Sequence, residues 1–134
     1  MRKTIAYFHL PGLFEAYAFY RVFLPLFFAH REYFYEWCAI GSLYGAPADC
    51  IWGGGRVGSG ERSAQEALAL TRAYGLSARL TFSNSLLRPE HLSDGRCNAL
   101  CRAFARSDGP QNGVIVHSEL LLDYLKANYP QLSF

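Results

Sequence analysis

One pattern constrains this chain more than any other: short apolar runs lead through small polar loops into amphipathic stretches of about ten to fifteen residues. The first apolar run, residues 4–10, is closed by Pro11-Gly12, and a second, residues 39–44, ends at Gly45. Two more follow at residues 78–82 and 114–117, the latter entered through the turn pair Asn112-Gly113, and residues 131–134 read as the opening of a fifth strand. Between them lie helices. The aromatic segment 14–37 reads as one helix broken near Pro25 or as two. Ser63 caps the next helix, with Glu66 three residues on, Ala64, Ala67, Leu68 and Thr71 on its inner face, and Gly75 as its stop. Pro89 opens a short turn, and Cys97, Leu100, Cys101 and Phe104 form the i, i+3, i+4, i+7 stripe of a third helix. Ser118 caps the fourth, in which Leu121, Leu122 and Leu125 face inward and Pro130 ends the run.

Strands joined by helices run parallel with right-handed crossovers. A complete (βα)8 barrel takes ~250 residues, so 134 residues with four to five βα units amount to half of a TIM-like barrel. A flavodoxin-like doubly wound open sheet fits the same length. With 51% hydrophobic residues the chain reads as a single α/β domain over residues 1–134. A net charge of +2 and the lack of any Lys/Arg run argue against nucleic acid. The apolar stretch 13–29 contains Glu15, Arg21 and Pro25, which argues against a membrane span. His9 and Pro11 interrupt the N-terminal apolar run, so it is not read as an export signal, and the four cysteines are read as reduced. A cytoplasmic location is the expectation.

The strings Ser42-Leu43-Tyr44-Gly45, Cys50-Ile51-Trp52-Gly53-Gly54-Gly55-Arg56, Leu80-Thr81-Phe82-Ser83-Asn84, His91-Leu92-Ser93-Asp94-Gly95-Arg96-Cys97-Asn98 and Tyr124-Leu125-Lys126-Ala127-Asn128-Tyr129-Pro130 occur in this order. From about residue 39 onward the chain thereby resembles the N-terminal part of a group of uncharacterised bacterial proteins similar to TIM-type barrels. Radical S-adenosylmethionine enzymes and collagenase-like peptidases are more distant analogies. The resemblance implies further βα units beyond the equivalent of Phe134 and implies no particular activity. The Cys-x3-Cys-x2-Cys motif of radical enzymes does not occur.

Parallel α/β folds gather their sites at the C-terminal ends of the strands. His9, Ser42, Asn84 and His117 fall at such ends, and Arg56 in the glycine-rich loop offers a planar fork to a carboxylate or phosphate. These five are the expected ligand-binding residues, with a small anion as the ligand and with Arg56, Asn84 and His117 closest to it. Each has a plainer reading: a histidine that bonds a neighbouring loop, a Ser or Asn that caps a turn, an Arg on a solvated loop. Gly53-x-Gly55-x-x-Gly58 matches the letters of a dinucleotide fingerprint but lacks both the clear preceding strand and the acid at the end of the next one. His91, Asp94 and Asn98 have the spacing of one helical face, and a polar loop with a cap explains them equally. Cys97 and Cys101 lie on the apolar stripe and read as buried thiols. His9 and His117, if their strand ends converge, could form a metal or acid/base pair; beyond that no metal site, cofactor or catalytic triad can be named. Ten rings between Tyr17 and Trp37 exceed what one helix conceals against a small sheet, so self-association is expected, with a noncatalytic interaction module as the alternative to a ligand-binding protein.

Overall fold

The structure, a computed structural model, describes residues 3–54, 63–106 and 108–134. Four βα units follow one another: β1 (Ala6–Pro11), α1 (Tyr17–Ala29), β2 (Cys38–Gly45), α2 (Ala64–Ala73), β3 (Ser77–Phe82), α3 (Gly95–Ala105), β4 (Gly113–Val116) and α4 (Glu119–Asn128). Short 3-10 turns sit at Arg31–Tyr33, Ile51–Gly53 and Pro89–Ser93. The strands form one sheet in the order β1-β2-β3-β4, and every pair is parallel. Each crossover advances the sheet by one strand, as neighbouring strands do in a barrel, and the four strands contain no reversal of order. Ser133 pairs in parallel with Gly113 at the outer edge of β4, where a fifth strand was expected to begin.

Register decides which side chains meet. Leu43 lies opposite Ala78, Leu80 opposite Val114, and Phe82 opposite Val116, so these residues point to one side of the sheet. All four helices contribute to the core on that side: Leu24 from α1, Ala67 from α2, Cys97, Cys101 and Phe104 from α3, Leu121 and Leu125 from α4. The alternate positions Arg79, Thr81 and Ile115 point the other way, away from that core.

Local signals account for the helix boundaries. Ser63 Oγ accepts from the Glu66 amide and Ser118 Oγ from the Leu121 amide, the two caps expected. At the end of α2 the Gly75 amide donates to the Arg72 carbonyl and the Leu76 amide to that of Thr71, a Schellman turn in which Gly75 takes φ +65°. The helical stripe Cys97, Leu100, Cys101, Phe104 is buried throughout. The N-terminal expectation is corrected: the helix runs through Pro25 without a break and stops at Ala29 rather than reaching Trp37. Leu24 and Phe27, buried on either side of the proline, hold the turn in which its missing N–H costs one hydrogen bond.

Asn112 clamps three elements. Its buried side chain accepts from the Ala78 amide at 2.9 Å and donates to the Phe104 carbonyl at 3.1 Å, tying β3 and the end of α3 to the approach of β4. Its own carbonyl accepts from Ser133. Replacing Asn112 with Ala strands a buried donor and a buried acceptor, and the expected loss is about 2 kcal/mol in denaturant unfolding. A change within experimental error would remove Asn112 from the interactions that hold the sheet to α3.

Candidate functional site

Of the four expected ligand residues that the structure describes, His9 and Ser42 meet, and Asn84 and His117 do not join them. Arg56, and with it most of the glycine pattern through Gly58, lies outside the described residues. Asn84 is committed to its own loop: its Nδ2 donates to the Ile51 carbonyl, its Oδ1 accepts from Leu86, and its amide donates to Trp52. It therefore fastens the loop after β3 to the 3-10 turn at Ile51–Gly53. His117, exposed, follows β4 and donates its backbone N–H to Phe82. His9 sits on β1, three strand spacings from β4, or about 14 Å across the sheet. The two histidines thus do not form a joint metal or acid/base pair, and among the described residues no cluster of three His, Cys, Asp or Glu side chains is placed to hold a metal.

Ser42 is mid-strand rather than at the rim, because β2 begins early and pairs Ser42 with the first residue of β3. Its hydroxyl, fully buried, lies 2.6 Å from His9 Nδ1. A bulge creates this pairing. Phe8 lies opposite Ile40 and His9 opposite Ser42, so β2 carries one extra residue, Gly41. A Cβ on Gly41 would come within 2.7 Å of His9 Cε1, so the imidazole packs where a side chain would stand. The bulge turns His9 and Ser42 together onto the face away from the core.

That face is the chemically distinct surface of the fold. It carries Tyr7 and His9 from β1, Arg79 and Thr81 from β3, and Ile115 from β4. Arg79 Nε and Thr81 Oγ1 are buried there without hydrogen-bond partners. Two such atoms on adjacent same-face positions are uncommon, since a buried polar group left unsatisfied costs about 1–3 kcal/mol. The alternation in Ser77-Ala78-Arg79-Leu80-Thr81-Phe82 already assigned Arg79 and Thr81 to one face, but a strand facing water on one side carries the same signal. Beside β4, a groove of about 420 Å3 is lined by Arg79, Ile115 and Val116 of the sheet, Leu122 and Lys126 of α4, and Phe134.

His91, Asp94 and Asn98 have structural duties. His91 Nδ1 accepts from the Arg88 amide. Asp94 caps α3 by accepting from the Cys97 amide at 2.8 Å. Buried Asn98 accepts from the hydroxyls of Tyr124 and Tyr129, each at 2.6 Å, and donates to the carbonyls of Leu92 and Asp94. Cys97 is buried as expected, but its sulfur lies 3.0 Å from that of Cys50, a partner that helical periodicity does not reveal. The Cys97 thiol, together with the amides of Gly53 and Trp52, holds the Cys50 thiol below its ordinary pKa. Cys97 is pushed up by the same contact, and burial takes Cys101 up to about 12.

The aromatic segment is partly resolved into core. Tyr20 and Phe27 are buried, and the Tyr20 hydroxyl donates to the Pro11 carbonyl. Phe19, Tyr33, Tyr35 and Trp37 stay exposed, with Tyr35 stacked on Trp37 at 5.4 Å. Among the described residues no helix is long and apolar enough to cross a membrane. Compared with known proteins, the chain matches no family model, no curated protein and no solved structure.

The Asp94 cap predicts a pH dependence. The Cys97 amide holds the Asp94 carboxyl below the usual carboxylate range, so the stability it lends is complete above the unfolded-state pKa of about 3.9 and is lost as pH falls through the lowered folded value. Asp94→Ala is expected to lose about 1 kcal/mol at neutral pH. Asp94→Asn keeps the cap, leaves the neutral unfolding midpoint nearly unchanged and flattens its decline in acid. An unaltered acid limb in the Asn variant would assign that decline to other carboxylates.

Proposed function

We propose that this chain is a self-associating half-barrel, in which two copies meet through the open edges and uncovered face of their sheets and enclose a site for a small anion. The observation that carries the reading is the one-sided sheet. All-parallel sheets occur almost only with both faces covered, and here the core lies on one side while Arg79, Thr81 and Ile115 face away from it. Among the described residues both edges are also open: β1 pairs only with β2, and Ser133 takes one pairing position on β4, at Gly113.

A second copy fits this surface better than an unrelated partner. Four strands with consecutive order have the strand count of half an eight-stranded barrel, and two such units placed edge to edge would cover each other's inner faces. The groove beside β4 supplies apolar walls for an incoming strand. The uncovered face spans roughly 400 Å2, from strands ~4.8 Å apart and ~3.3 Å per residue. The exposed rings of Tyr7, Tyr35 and Trp37 near β1 extend it towards the ~800 Å2 per partner of a standard interface. Stacking two such faces directly would bring one Arg79 against the other, so edge-to-edge closure is favoured over a face-to-face sandwich.

Closure would turn His9, Arg79 and Thr81 inward. Arg79, with its Nε unsatisfied, and His9, steadied by Ser42, are the groups we assign to the anion, a carboxylate or phosphate. His117, which follows β4, belongs to the same proposal as a rim residue, and Arg56, outside the described residues, is kept as an expected anion ligand. The alternative, a noncatalytic interaction module, shares the association and omits the ligand.

Sedimentation equilibrium of the full chain at micromolar concentration is expected to give about twice the 15.1 kDa chain mass. Ile115→Lys, at a residue 45% exposed on the β4 face, is expected to return it to a monomer with unchanged far-ultraviolet circular dichroism. A monomeric parent at 100-fold higher concentration, or a variant that stays dimeric, would end the reading. In the dimer, Arg79→Met is expected to abolish any thermal stabilisation by phosphate or small carboxylates; stabilisation that survives the change would move the anion elsewhere.

A further inference from the structure

We propose that Cys50 and Cys97 are an oxidation site: a buried dithiol that hydroperoxides convert to an intramolecular disulfide, fastening the connection after β2 to the first turn of α3. The two sulfurs are 3.0 Å apart, though 47 residues separate them in sequence. Forming the bond requires them to close by about 1 Å, to the ~2.05 Å of a disulfide. Their carriers are held in place on both sides. Cys50 precedes Trp52, which is fully buried and whose Nε1 donates to the His91 carbonyl at 2.8 Å, while the Asn84 side chain grips Ile51. Cys97 stands in the turn capped by Asp94. The pair is thus positioned by contacts that exist without the bond.

The two sulfurs also differ in reactivity in the useful direction. The Cys97 sulfur in contact with it and the nearby backbone N–H groups of Gly53 and Trp52 hold the Cys50 thiol below its ordinary pKa, which favours its thiolate and makes it the attacking sulfur. The Cys50 sulfur attacks one oxygen of the peroxide, the O–O bond breaks, and a sulfenic acid forms as one molecule of water (or alcohol, from an organic peroxide) leaves. The Cys97 sulfur then attacks the sulfenic sulfur, the S–O bond breaks, and the hydroxyl departs as water with the Cys97 proton. Two thiols lose two electrons to one peroxide. The small size of hydrogen peroxide suits a pair that is 1% and 0% exposed. Cys38, the most accessible of the four thiols, lies on β2 and serves as the internal control.

The test uses the full native chain treated with equimolar hydrogen peroxide, then alkylated under denaturing conditions and mapped by mass spectrometry. The expected product has lost two hydrogens, links the Cys50 and Cys97 peptides within one chain, leaves Cys38 and Cys101 alkylated, and reverts with dithiothreitol. Closing a 47-residue loop is expected to raise the thermal midpoint by about 10 °C. Cys38→Ser is expected to behave as the parent, whereas Cys50→Ser and Cys97→Ser lose both the crosslink and the thermal response. Oxidation confined to Cys38, a Cys97–Cys101 crosslink, or a disulfide between chains would overturn the proposal. If a buried-site variant does not fold, mapping of the parent and of Cys38→Ser still decides it.

Discussion

Parallel pairing in fixed register is the constraint on which the rest of this fold depends. Side chains on a strand alternate with a period of two, so one alignment sends Leu43, Ala78, Leu80, Phe82 and Val114 to the same side and leaves every alternate residue on the other. Each helix then has one place to bury its stripe, and all of them bury it on that side. A slip of one residue in β3 would put Arg79 and Thr81 into the core and Leu80 into solvent. The polar clamps reinforce the alignment: Asn112 holds β3 against the end of α3, and Asn98 gathers the hydroxyls of Tyr124 and Tyr129 between α3 and α4.

The bulge at Gly41 is the one departure from this regularity, and it has a chemical consequence. By inserting a residue in β2 it brings Ser42 opposite His9 and packs the imidazole over a position that has no side chain. A histidine that would otherwise project freely is held by a buried hydroxyl on the face away from the core. The same face carries Arg79 and Thr81, whose unsatisfied atoms are hard to reconcile with a surface that meets only water. The structural irregularity and the unpaired polar groups therefore coincide on one side of the sheet. This coincidence locates the candidate site there instead of along the loops at the ends of the strands.

Those loops are occupied with holding the fold together. Asn84, Trp52 and His91 link the connections after β2 and β3, and the Cys50–Cys97 contact lies within the same knot of interactions. The described part of these loops is heavily bonded to itself. It also places two thiols in contact, where the proposed oxidation would act, while the proposed association lies on the sheet face.

Sequence by itself determined the βα alternation, the caps at Ser63 and Ser118, the glycine stop at Gly75 and the buried stripe from Cys97 to Phe104; the fifth strand it suggested at 131–134 is a single bridge at Ser133. Each depends on local periodicity or on a backbone conformation that one residue type adopts most readily, so neighbours within about seven positions suffice. Tertiary structure alone decided that Asn84 fastens a loop, that Ser42 lies mid-strand beneath His9, that α1 passes through Pro25, and that Cys50 meets Cys97. These follow from strand stagger, from a bulge and from contacts across 33 or 47 residues. The free energy of such contacts depends on what the whole sheet brings together, which no local pattern encodes.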